Sequence, residues 1–305
     1  MRLFIKSLLM IFALFAVSGS VFAMTSTNYE IPWDNINTGG FDFATSTNFS
    51  LNDTLGDISG AATGTNYSLS SGYRAAELEA IISMGILAQN NAVQTSYSAF
   101  SNAGNTVVVS SAVGFSVGDL ISVVENAGFA ELVAIGKVTD ITGTTITVDD
   151  WDGEPASLSA IPVGGDDAVY LMNVSSINLG TVTSTVENTV VVMTSISTDA
   201  VNGYTVYIQP NQLLQNGSAS PIAVVTDGTV NLTSEEYGSE NIGVTAVNTG
   251  TDLGVTSTQR SVQTSGITTG GIPDKIAMLY KLAITDATVD GTYTQTIFYT
   301  LTANY

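Results

Sequence analysis

The chain has 305 residues, with 7 Lys and Arg against 27 Asp and Glu, a net charge of −20, and neither Cys nor His. Such a field repels phosphate backbones and anionic membranes, so nucleic-acid binding is excluded as a function class. Without Cys there are no disulfides, thiolate zinc sites, thiol nucleophiles or lipoprotein anchors, and without His the commonest general base and the Ser–His and Cys–His arrangements are gone too.

The first 23 residues read as a signal peptide. Arg2 and Lys6 form a short basic start, residues 8–17 are apolar, and Val21-Phe22-Ala23 places a small residue at the cleavage position. An uncleaved anchor is the alternative, but the apolar run is short for a bilayer span. No later segment approaches the roughly 20 continuous apolar residues of a membrane helix. No integral membrane segment is therefore expected after cleavage. Beyond Ala23 only five basic residues remain, so the charge comes from base depletion.

Residues 24–104 are expected to hold β repeats followed by a linker. Ser26-Thr27-Asn28-Tyr29-Glu30-Ile31 recurs as Ser46-Thr47-Asn48-Phe49-Ser50-Leu51 and as Gly64-Thr65-Asn66-Tyr67-Ser68-Leu69. Each copy sets an aromatic and an aliphatic residue two apart, on one face of a strand. Gly39-Gly40, Gly56 and Gly60 supply turns. The repeats read as short hairpins completing a sheet, with an extended self-association surface as the alternative. Residues 74–80 tolerate a helical turn. Residues 81–87 read as a strand, and 89–105 as a polar linker or long loop.

Residues 105–171 predict a small inserted β-barrel or roll, built from 106–109, a turn and strand at 115–121, and a hairpin at 134–148 turning at Thr142-Gly143. Through Phe115-Ser116-Val117-Gly118-Asp119 and residues 136–148, this stretch resembles small β modules of phage tail fibres and bacterial surface proteins. Asp149-Asp150-Trp151-Asp152-Gly153-Glu154 is the densest acidic cluster. Alternate carboxylates around a Gly suit a Ca²⁺ loop, but the third ligand spacing and the closing Glu of an EF-hand are missing. The alternative is a solvated hairpin tip.

Residues 172–305 predict a β-sandwich of Ig-like or Greek-key type. Its strand candidates are 189–197, 204–209, 221–225, 243–247, 277–285 and 293–303, with a turn at Asn202-Gly203. The last is the clearest: Tyr293, Ile297, Tyr299, Leu301 and Ala303 share one face, and Thr294, Thr296, Thr300 and Thr302 the other. With the Thr-Asn-aromatic repeats, Leu179-Gly180, 201–206, 291–294 and 299–302, this region is similar to predicted secreted β-rich surface proteins of uncultured bacteria. The closing strand is similar to the distal motif of WxL cell-wall-binding domains. Tyr299 stands where that family has Trp, and no Trp-x-Leu occurs. The resemblance implies a surface location and no chemistry. It also makes the middle module an insertion between the strands near Ile81 and Tyr170.

The fold expectation is thus all-β. For chemistry, a Ser–Lys hydrolase would need Lys137, Lys275 or Lys281, and none stands in a Ser-x-x-Lys pattern. A glycosidase needs two facing carboxylates, and spacing identifies no pair. No phosphate-binding or dinucleotide fingerprint occurs. We therefore expect no enzyme: no catalytic, cofactor-binding or metal residues, and no cofactor. The expected role is a secreted or cell-surface structural or adhesive protein, such as a filament or surface-layer subunit. Its partners would be cell-envelope or extracellular proteins, surface glycans, or further copies of itself. A carbohydrate- or wall-binding module is the alternative, and a polysaccharide hydrolase the second.

Overall fold

The computed structural model describes residues 81–217 and 221–304, and, before them, the backbone of six short strands. The chain divides into two units, 1–79 and 80–305. In the first, β1 (Met24–Ser26) pairs with β2 (Tyr29–Ile31). A separate four-stranded antiparallel sheet takes β3 (Asp42–Ser46), β4 (Phe49–Asn52), β5 (Ala61–Gly64) and β6 (Tyr67–Ser70) in sequence order. Ser26 pairs with Tyr29, Ser46 with Phe49 and Gly64 with Tyr67. In sequence, each repeated Thr-Asn pair falls between two strands so paired, and itself lies outside the described residues. The signal peptide, the expected Gly turns and the helical turn at 74–80 lie outside the described residues.

The second unit is all-β. Its strands are β7 (Ile82–Thr95), β8 (Tyr97–Ser101), β9 (Thr106–Val109), β10 (Leu120–Glu125), β11 (Leu132–Thr142), β12 (Thr145–Val148), β13 (Asp152–Gly153), β14 (Ala168–Val174), β15 (Asn188–Thr198), β16 (Tyr204–Pro210), β17 (Gln215–Asn216), β18 (Glu236–Ile242), β19 (Leu253–Gly254), β20 (Arg260–Ser265), β21 (Asp274–Ala283), β22 (Tyr293–Thr294) and β23 (Ile297–Ala303). One long antiparallel sheet runs β19-β18-β21-β15-β7-β14-β10-β11-β12-β9-β8, with β13 added beside β11. A second sheet runs β20-β16-β23. Among the described residues no helix is long and apolar enough to cross a membrane.

The key element is β7. Its first half pairs with β15, from Ile82 opposite Thr198 to Ala88 opposite Val192. Its second half pairs with β14, from Ala88 to Thr95. One strand thus belongs to two parts of the molecule. On one face of β15, β18 and β21, a core of Val190, Val192, Ile196, Tyr237, Ile276, Met278 and Tyr280 meets Tyr204, Val206, Ile208 and Val262 of the second sheet. On the opposite face, Val191, Met193, Ala277 and Leu279 meet Val124, Val133, Ile135 and Met172 from β10, β11 and β14. The long sheet therefore turns back across itself at β7, and β21 is covered on both sides. Its sequence of near-continuous apolar residues has the composition such burial requires.

Several expectations need correction. Residues 89–105 are not a linker: β7 and β8 occupy most of them, leaving a turn at 102–105. The polar character marks a change of strand partner, because β7 leaves β15 after Ala88 and the Gln89 side chain then accepts the Val191 N–H at 2.8 Å. Residues 221–225 form isolated bridges rather than a strand, although Ile222 and Val225 are buried. Residues 243–247 are not a strand either; β18 ends just before them, and Gly243 at φ 139° turns the chain away.

Candidate functional site

Two of the few cations lie inside the protein. Lys275 and Lys281 sit six residues apart on β21, on the same face as Ala277 and Leu279, and are 1% and 3% exposed. A buried ammonium is costly unless paired, and each has carboxylates from elsewhere in the chain.

Lys275 takes the acidic cluster singled out in the sequence. Its Nζ lies 3.0 Å from Asp152 and 3.6 Å from Asp149. Backbone geometry brings these acids inward. Gly153 has φ 90°, and a Cβ there would lie 2.4 Å from the Val133 carbonyl oxygen, so only glycine lets β13 dock against β11. Between them Trp151 is buried and packs on Phe100 with ring centroids 5.1 Å apart. Asp149 also accepts the Lys137 and Asp150 N–H groups, and Asp150 accepts that of Trp151. The cluster is thus more than a solvated hairpin tip, although Asp150 itself is exposed. Its inward carboxylates serve a lysine of the neighbouring layer. Burial raises the Asp152 pKa, against the pull of Lys275.

Lys281 lies 2.7 Å from Glu240 of β18 and 2.8 Å from Asp252, just before β19. Burial lowers its pKa, but Asp252 and Glu240 outweigh that and hold it above the ordinary lysine value. Asp252 is 5% exposed, and its Oδ2 accepts the Val230 N–H at 2.8 Å. Two carboxyls of the facing layer, Glu131 and Glu154, also feel Lys281. Burial pushes the Glu131 pKa up to about 7, against hydrogen bonds from Thr189 and the Gly128 N–H and against Lys281. Glu131 lines a polar cavity of about 410 Å³ with Gln89, Asn91, Gln94, Tyr170 and Asn188.

The third feature is a seam. Among the described residues β23 pairs with β16 alone, and residues 82–87 of β7 pair with β15 alone. Both layers thus end in edge strands on the same side of the core. Ile82, Met84 and Ile86 of β7, and Ile297, Tyr299 and Leu301 of β23, are only partly buried there. A groove of about 290 Å³ lies between them, lined by Ile86, Ala88, Ile297 and Tyr299. It adjoins a larger one of about 590 Å³ through the shared Ile177, Gln295 and Ile297. Phe298, on the outer face of β23, is 57% exposed.

Sequence reasoning found the acidic cluster and the closing strand, but missed Lys275, Lys281, Glu131, Glu240 and Asp252 as buried groups. One signal was present: two scarce lysines flank the apolar run 276–280, where a surface strand would be expected to alternate. In comparisons with known proteins, no family model, no curated protein and no solved structure matches the chain.

Proposed function

We propose that the chain is a non-enzymatic, secreted cell-surface structural or adhesive protein that engages its partners by strand addition. The observation that carries this reading is the seam. Among the described residues, two neighbouring edge strands leave backbone groups without a strand partner beside half-buried apolar side chains, which together are what an incoming strand needs. Main-chain hydrogen bonds would supply affinity, and the row from Ile297 to Leu301 would supply register. The acidic field disfavours anionic partners and favours neutral or basic ones.

Electron microscopy and sedimentation of the purified chain test this directly. Filaments, sheets or concentration-dependent oligomers are expected, and Phe298→Glu beside the open edge should weaken them. A chain that stays monomeric at every concentration, and captures no cell-surface component through this edge, rules the reading out. Secretion is tested separately: N-terminal sequencing of the exported protein should begin at Met24.

The cavity beside Glu131 favours a second reading, a carbohydrate- or wall-binding module. Amide side chains and a tyrosine around a polar hollow can satisfy sugar hydroxyls. Glycan-array binding that disappears in Gln94→Ala would support it over strand addition.

A further inference from the structure

We propose that Lys281 and Asp252 join in an intramolecular amide bond, formed by the folded protein itself with Glu240 as the proton carrier. The inference is independent of the strand-addition reading and holds whatever the protein binds.

Amide formation between side chains needs an amine held against a carboxyl carbon, a base to deprotonate it, a donor for the developing oxyanion, and exclusion of water. All four converge at Lys281. Its Nζ lies 2.8 Å from Asp252 Oδ1, a buried oxygen with no other hydrogen-bond partner among the described residues. Asp252 Oδ2 is held by the Val230 N–H at 2.8 Å, where charge would collect in a tetrahedral intermediate. Glu240 lies 2.7 Å from the same Nζ, within reach of its protons. Lys281 and Asp252 are both almost wholly buried.

The step balances without any co-reactant. Glu240 takes a proton from the ammonium, and the nitrogen lone pair forms a bond to Cγ of Asp252. The bond from Cγ to Oδ1 breaks. Oδ1 leaves as water with the two protons lost by nitrogen, relayed in turn through Glu240, which ends unchanged. An ammonium and a carboxylate become a neutral amide and one water, with no change of oxidation state. Two buried charges vanish, which removes their desolvation cost.

The placement gives the bond a purpose. Lys281 pairs opposite Gly238, and Leu253, next to Asp252, pairs opposite Ser239. The link would therefore tie β21 to the β19 edge across β18, closing a covalent loop over the end of the long sheet. In a chain without cysteine it would provide the staple that exported proteins otherwise obtain from disulfides. Glu131 and Glu154 complete the charged surroundings. With four carboxyls facing one lysine, charge balance alone does not call for Asp252.

Mass spectrometry of the purified full chain tests this. Once the N-terminus is known, the denatured protein should be lighter than its sequence by one water molecule. Proteolysis should yield a branched peptide joining the segments around Lys281 and Asp252, with trypsin unable to cut after Lys281. Lys281→Arg and Asp252→Ala should restore the sequence mass. Glu240→Gln should leave the protein folded by circular dichroism and the bond unformed. Recovery of unlinked peptides carrying free Lys281 and Asp252 from the folded wild-type protein overturns the proposal. So does a water loss confined to one linear peptide, which would mark a cyclised aspartate instead.

Discussion

The two parts of the long sheet share a strand and a composition but differ in how they close. Around β8 to β12 the core is sealed: Tyr97, Phe100, Val107, Ile121, Val123, Ile146 and Trp151 are all nearly inaccessible. Even the buried acid there, Glu125, is answered by the N–H and hydroxyl of Ser159, both at 2.6 Å. Around β15, β21 and the second sheet, the core is equally apolar at its centre but open along β7 and β23. Two layers with unequal strand numbers expose a row of the larger layer's side chains, whereas a sheet that curls onto its own neighbours does not. On the strand-addition reading, the sealed part holds shape and the open part receives the incoming strand.

The largest expected effect lies in the sealed part. Trp151→Ala should cost about 3–5 kcal/mol in denaturant unfolding, because it opens a cavity against Phe100 that the surrounding strands cannot fill. Lys275→Met, at the junction of the layers, should cost about 3 kcal/mol at pH 8 by leaving Asp149 and Asp152 without their cation. That deficit should shrink as the pH falls through the carboxylate range, where the folded protein can hold Asp152 protonated.

Glu131 should respond in the opposite direction. Its folded pKa of about 7 exceeds the ordinary 4.5, so the folded state binds more protons between these values. Its contribution to stability therefore falls as the pH rises from 4.5 to 7 and is flat outside that window. Glu131→Gln should raise stability by about 2 kcal/mol at pH 8 and change little at pH 4. Thermal melts at the two pH values would check this.

The smallest folding effects belong to the seam. Met84→Ala should cost about 1 kcal/mol, because the side chain is only half-buried. Phe298→Glu should stay within about 0.5 kcal/mol of wild type while changing association. If Met84→Ala instead matched Trp151→Ala, the open side would behave as a sealed core and the contrast would fail.

The sequence was most legible where one chemical pattern had one structural cause. In β23 half-buried Ile297, Tyr299 and Leu301 alternate with exposed Phe298, Thr300 and Thr302, as their order predicts. Gln295, the exception in the pattern, stands between β22 and β23, where its amide donates to the Gln212 carbonyl at 2.6 Å. The turn at Gly203 and the hairpin at Gly143 were equally plain, each with φ in the left-handed region. Legibility failed where polar side chains do internal work. Asn90 donates to Asn173 across β7 and β14, so a strand resembles a linker. Glu240 and Asn241 make β18 resemble a loop, although Glu240 meets Lys281 and Asn241 donates to the Val247 carbonyl. Of the candidate site's charged groups, only the acids of residues 149–154 were legible. A lysine reads as surface until the strand opposite it is known, and no local pattern names that strand.

β7 is the first strand of the second unit, so a pull on its N-terminal end directed along the strand would load it lengthwise. Its bonds to β15 over residues 82–88 lie across such a pull. They would be strained together instead of opening one after another. A long strand held on one side and then the other resists such a load over its whole length.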